Sequence, residues 1–162
     1  MNYVKYLPVD VTNGKGTRCT LFVSGCSHQC AGCYNESTWN KTAGFKFTKE
    51  MEDQIIDDLT DPLIKRTGLS LSGGDPLFFG NLDDILNLVK RVKFECQGKD
   101  IWLWSGFTLE ELQNNPIKHS KRLEILSYVD YFIDGKFEKE LADPELYWRG
   151  SSNQIIHYMK EI

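Results

Sequence analysis

No run of apolar residues in this 162-residue chain approaches the length needed to cross a bilayer, and its opening, MNYVKYLPVD, lacks the apolar stretch of a secretory signal. The chain is therefore expected to work in the cytoplasm, with no membrane partner. Blocks of like charge are also missing. The 19 Lys and Arg and 23 Asp and Glu leave a net charge of −4, with both signs spread along the chain. That argues against a basic arm for nucleic acid, and no nucleic-acid partner is expected. There is no internal repeat, low-complexity tract or linker, so residues 1–162 are read as one domain. Nor is there an even, dispersed set of cysteines. The five present (Cys19, Cys26, Cys30, Cys33 and Cys96) are odd in number, against the habit of a secreted disulfide framework. What the chain does have is 41% apolar and 12% aromatic residues, enough for a packed core.

The periodicity alternates between strand and helix. TRCTLFVSG reads as a buried strand that runs straight into a cysteine-rich loop. TKEMEDQIIDDL places Met51, Ile55 and Leu59 on one helical face, with Thr48 as N-cap and Pro62 beyond the end. GLSLSGGDP is a second strand broken by paired glycines. NLDDILNLVKRVKFEC is a second helix with Asn81 as its cap and Ile85, Leu88, Val89 and Val92 as its apolar stripe. DIWLWSG is a third strand, and TLEEL opens a helix with a Thr108–Glu111 capping box. SKRLEIL continues helix after Pro116, YVDYFIDG is a fourth strand, and NQIIHY is a fifth. Such an order predicts an α/β fold of mostly parallel strands, either an open sheet or a partial, laterally open (β/α) barrel, since five strands are too few for a closed eight-fold barrel. Ligands of such sheets sit at the carboxyl ends of strands. The cysteine loop and the GGDP stretch both follow strands and so belong on one rim.

Cys26, Cys30 and Cys33 fall within GCSHQCAGC. A structural zinc ion wants four protein ligands, which His28 or Cys19 would have to complete. His28 lies inside the tight loop, Cys19 inside an apolar strand, and the chain has no second C-x-x-C pair. A four-iron, four-sulfur cube is larger, and one loop can wrap it and reach three separate irons. Such clusters normally take four thiolates, so three leave one iron open. Gly25 and Gly32 flank the ligands where backbone must approach the inorganic sulfides. The plainest alternative is three unrelated buried thiols, which does not account for the spacing.

These residues resemble the radical S-adenosylmethionine (SAM) family, whose hallmark is C-x3-C-x2-C, matched by Cys26, Cys30 and Cys33. The resemblance implies a truncated radical SAM core. It also implies one 4Fe-4S cluster on three cysteines, with SAM chelating the fourth iron. The family's G-G-E-P-like motif, which holds the SAM amino group, reads here Gly73-Gly74-Asp75-Pro76. Asp75 is expected to offer its negative charge to that ammonium. Many relatives carry an aromatic residue just before the third cysteine. Here Gly32 stands there and Tyr34 follows the cysteine, so adenine contacts are expected from the Gly32–Tyr34 backbone or the Tyr34 ring.

Within that family, GTRCTLFVSGC, CYNESTW, LSLSGGDPL, KDIWLWSG, DGKF and WRGSSNQ are similar to the activases of anaerobic ribonucleoside-triphosphate reductase, over Tyr3 to about His157. That resemblance implies reduction of the cluster by reduced flavodoxin or a similar donor. Reductive cleavage of SAM would follow, and then hydrogen abstraction from a glycine Cα of the reductase to leave a glycyl radical. Its catalytic groups are the cluster and SAM, with no further catalytic side chain. Rival readings are an activase of another glycyl-radical enzyme such as pyruvate formate-lyase, an iron–sulfur electron carrier, and a zinc-stabilised interaction module.

Several residues carry plainer expectations. Trp102 and Trp104 alternate along a strand and so face one side as packing. WRGSSNQ is a turn entering the last strand, and Trp148 and Arg149 are also types that contact partners. Arg18 serves the rim or pairs with an acid. Cys96 is a structural thiol. His119 and His157 are expected at the surface, and Asp130 and Asp134 are expected to face solvent.

Overall fold

The computed structural model describes residues 1–161. The described residues form seven strands and four α-helices, in the order β1 Asn2–Asp10, β2 Arg18–Val23, β3 Phe45–Lys46, α1 Lys49–Thr60, β4 Gly68–Gly73, α2 Leu82–Glu95, β5 Asp100–Trp104, α3 Leu109–Asn114, α4 Ser120–Leu126, β6 Tyr131–Asp134 and β7 Ile155–Tyr158. The strands form one sheet in the order β3-β1-β2-β4-β5-β6-β7, which does not close. β2, β4, β5 and β6 run parallel, while β1, β3 and β7 are antiparallel additions at the flanks.

The sequence accounts for this arrangement locally. Thr48 caps α1 through its side chain, which accepts from the Met51 N–H, and the helix ends before Pro62, whose ring disfavours helical backbone in the residue ahead of it. Thr108 and Glu111 form the expected capping box of α3. The five expected strands are present. β1 and β3 were not expected. In β1, Pro8 lies within a register shift between Leu7 and Asp10, and a second shift falls between Tyr3 and Lys5, so the simple two-residue alternation is broken. β3 is only two residues long.

The two faces of the sheet differ in kind. On one, Cys19, Leu21, Leu69, Leu71, Ile101, Leu103 and Phe132 pack against the apolar stripes of the helices, including Ile55, Leu59, Ile85, Leu88, Val92 and Ile125. Burying such side chains stabilises the fold by roughly 1.5–3 kcal/mol apiece before entropy is counted. The other face bears a polar and aromatic row. Thr20, Ser70, Trp102, Tyr131 and Tyr158 are successive register partners. Arg18 is fully buried beneath this row, 2.6 Å from Asp100 and bonded to Ser70, with its guanidinium over the Trp102 ring. It therefore pairs with an acid at the amino ends of the strands, away from the site rim. Trp102 and Trp104 do share a side and stack at 5.9 Å.

Two expected surface acids and one expected surface histidine, His119, are interior instead, and His157 is half-buried. Asp130 accepts from the Ile101 N–H and pairs with Lys93. Asp134 accepts from the Leu109 N–H and lies 2.8 Å from His157 Nε2. His119 is 8% exposed, with Nδ1 3.2 Å from an Arg122 nitrogen. The partners of Asp130 and Asp134 lie on neighbouring elements, which a single strand's alternation does not reveal.

Candidate functional site

β2 delivers the chain to the strand-end rim at Val23, and Cys26, Cys30 and Cys33 follow in an irregular loop. The loop is pinned at its start, where Gly25 and Cys26 donate to the main-chain oxygens of Thr38 and Trp39. It turns tightly at its far end, where the Cys33 N–H bonds the Cys30 oxygen. All three thiols are free, half-buried, and line one cavity of about 350 Å³. Cys19 and Cys96 are buried elsewhere and do not reach it.

β4 ends on the opposite wall, and Gly73 and Gly74 line the cavity with Ser72. Here glycine is required. Gly73 has φ +108°, and a Cβ on Gly74 would lie 2.5 Å from the Gly25 oxygen. The Gly74 and Asp75 N–H groups bond back to Val23 and Gly25, so the two strand ends are laced together. The separation of these motifs in sequence disappears in space.

Asp75 does not line the cavity. It is 1% exposed, and its carboxylate accepts from the Leu77 N–H on Oδ1 and from Ser105 Oγ and the Gly106 N–H on Oδ2. His28 Nε2 lies 2.7 Å from the same Oδ2. This carboxylate is spent inside the wall, where the sequence reading expected it to meet an ammonium. Tyr34 lines the cavity mouth, 74% exposed, with its ring 5.3 Å from that of Phe137. Gly32 is exposed and stands outside the lining, with φ +73°.

The third wall comes from the long connection between β6 and β7. Gly135, Lys136, Phe137, Trp148, Arg149 and Gln154 line the cavity from this side. WRGSSNQ is thus a wall of the site as well as the entry to β7. Gln154 fastens it: Oε1 accepts from the Gly150 and Ser151 N–H groups, and Nε2 donates to the Gly135 oxygen. The Trp104 indole donates to the Trp148 oxygen at 2.6 Å, and Trp148 sits at φ +60°. Sequence reasoning did not place Lys136 or Gln154 at the site. Only the first carries a signal, as a cation in DGKF.

The cavity offers soft thiol donors on one wall and cations for an anionic group of a guest on another. Two cations, Lys136 and Arg149, line the cavity, and among the described residues no carboxylate does. Burial pushes the Cys26 and Cys30 thiols above the ordinary thiol range. Main-chain N–H groups of His28 and Gln29 oppose this at Cys26, and that of Phe137 opposes it at Cys30. The Asn35 N–H donates to Cys33 Sγ at 3.4 Å. Cys33 Sγ therefore already receives an amide, a contact of the kind that supports a thiolate ligand and tunes a metal's potential. Among the described residues no three His, Cys, Asp or Glu side chains are gathered around a single ion. Three thiols spaced along one loop and lining one cavity suit the separate irons of a cluster.

Residues 12–157 match the family model described as a 4Fe-4S single cluster domain. The chain is 56% identical over 160 residues to the anaerobic ribonucleoside-triphosphate reductase-activating protein of Escherichia coli strain K12, covering 99% of this chain and all of that one. It is 60% identical over 157 residues to the protein of that name from Vibrio cholerae, at 97% of both chains. The namesake from Enterobacteria phage T4 is 47% identical over 156 residues, at 96% of this chain and 93% of its own.

Proposed function

We propose, from the premise that this chain belongs to the family of anaerobic ribonucleoside-triphosphate reductase-activating proteins, that it installs a glycyl radical on that reductase. Cys26, Cys30 and Cys33 would hold the 4Fe-4S cluster, and the cavity beside Gly73 and Gly74 would receive SAM. When bound, the reduced cluster and SAM supply a one-electron cleavage that yields a carbon radical able to take hydrogen from a glycine Cα.

The observation that carries this reading is the placement of the three thiols and the paired glycines on one cavity. The chain's own residues bind and orient. Gly73 and Gly74 present bare backbone at the wall, so main-chain oxygens would accept from the SAM ammonium. Asp75 serves behind them by holding the loop in shape. Cys33 and Tyr34, which line the cavity, would contact adenine at the mouth, with the Gly32 backbone at its outer edge. Lys136 and Arg149 would meet the methionine carboxylate, a guest that a cavity without carboxylates admits. Trp104, Phe137 and Trp148 make the walls apolar and keep water from the reacting carbon.

An iron–sulfur electron carrier would call for a fourth thiolate, and Cys19 and Cys96 lie away from the cavity. On the favoured reading, residues 1–162 act as one domain, a truncated radical SAM barrel. The open sheet lets a segment of the reductase reach the rim. Work in the cytoplasm with reduced flavodoxin or a similar donor belongs to the same proposal. The test is to mix the reconstituted protein anaerobically with the reductase, SAM and a reductant. A glycyl-radical EPR doublet on the reductase is expected. A doublet that instead appears only with pyruvate formate-lyase would reassign the partner.

A further inference from the structure

One side chain leaves the cysteine loop for the interior. Ser27, Gln29, Ala31 and Gly32 are exposed, whereas the His28 imidazole is 7% exposed. Its Nε2 lies 2.7 Å from Asp75 Oδ2, and its ring meets Phe107 edge-on at 4.7 Å. Gly106 backs the ring so closely that a Cβ there would collide with it.

The anchor is itself immobile. Besides His28, Asp75 receives the Leu77 and Gly106 N–H groups and the Ser105 hydroxyl, all within 3.1 Å. Moving the carboxylate would leave buried donors unpaired. Phe107 is held in turn by Arg122, which lies 4.6 Å over its ring and donates to the Leu77 oxygen. The imidazole thus fastens the thiol loop to a fixed point at the ends of β4 and β5.

Resting on the functional reading above, we infer that His28 is a positioning residue, fastening the cysteine loop to Asp75 so that the thiols and the Gly73–Gly74 backbone face one cavity in a set register. Its ring nitrogen is committed to the carboxylate. A planar ring with two side-chain torsions holds that register more firmly than a longer flexible chain would. Gly106 is the glycine that makes room for it.

The test uses the full-length protein after anaerobic reconstitution, as wild type, His28→Ala and His28→Gln. Iron and sulfide per chain, the SAM dependence of the reduced cluster's EPR signal, and amide exchange over residues 26–34 are measured. His28→Ala should keep iron and sulfide, need roughly ten- to hundred-fold more SAM for half-maximal change, and exchange faster at 27–33. His28→Gln, whose amide reaches Asp75, should recover much of the SAM response. Wild-type SAM dependence and exchange in His28→Ala would overturn the inference. Should His28→Ala fail to fold, Gly106→Ala, which displaces the ring while keeping it present, should show the same two shifts; their absence overturns the inference equally. If wild type takes up a cluster that ignores SAM, the functional reading fails. The tether is then decided by exchange alone, where acceleration in His28→Ala supports it and no change refutes it.

Discussion

The side-chain amide of Asn81 donates to the main-chain oxygen of Ser24 at 2.8 Å. The same nitrogen donates to the Asp75 oxygen at 3.1 Å, and Asn81 is 2% exposed. The start of α2 thereby braces the ends of β2 and β4, from which both motifs of the site depart. The sequence marks Asn81 as a helix cap, yet its side chain makes no capping bond.

Replacing Asn81 by Ala should therefore cost more than a cap. The Ser24 carbonyl loses its Asn81 donor and the Asp75 carbonyl keeps only the Phe78 N–H, a penalty of about 1–3 kcal/mol. Denaturant unfolding is expected to show that loss, and reconstituted Asn81→Ala should hold less iron than wild type.

The cysteines should separate into two classes. Cys26→Ala, Cys30→Ala and Cys33→Ala are each expected to lose most of the iron and sulfide on anaerobic reconstitution. Cys19→Ala and Cys96→Ala should keep both, at a stability cost on the order of 1–2 kcal/mol for the small voids left in the core. Equal cluster loss in Cys19→Ala would mean that the ligand set is misassigned.

Gln154 holds the third wall through three hydrogen bonds made by one side chain. Gln154→Ala should speed amide exchange at Gly150 and Ser151, whose N–H groups it caps, and leave the central strands unchanged. Weaker SAM binding with intact iron content is expected alongside.

How much of this was legible in the sequence divides by the range of the interaction. Helix ends were readable because Thr48, Thr108 and Glu111 act within four residues. The thiol spacing and the glycine pair were readable because each is local. The buried setting of Asp75 was not legible because its partners, Ser105, Gly106 and His28, lie some 30 to 47 residues away. The wall from β6 to β7 was hidden for another reason: much of it is main-chain oxygen and N–H held by Gln154 and Trp104, and such groups leave no residue signature. β1 escaped because its irregular register erases the alternation that marks a strand.

His119 gives a pH dependence. Burial lowers its pKa below the ordinary 6.5, assisted by the nearby charges of Arg122 and Lys118. The Arg122 contact at 3.2 Å needs Nδ1 as acceptor, hence a neutral ring. The unfolded chain binds the proton more readily, so this contribution is present above pH 6.5 and is lost as pH falls through the folded value. The thermal midpoint should drop over that interval. His119→Asn, which keeps an acceptor and cannot titrate there, should lack that part of the drop.

The central claim is that three thiols leave one iron free for SAM beside Gly73 and Gly74. Electron–nuclear double resonance on the reduced, reconstituted protein tests it most directly, with SAM carrying 15N in its amino group and 17O in its carboxylate. Strong couplings from both labels to the cluster are expected. Couplings from neither, with a histidine nitrogen or a fourth cysteine seen at the cluster instead, would contradict the account.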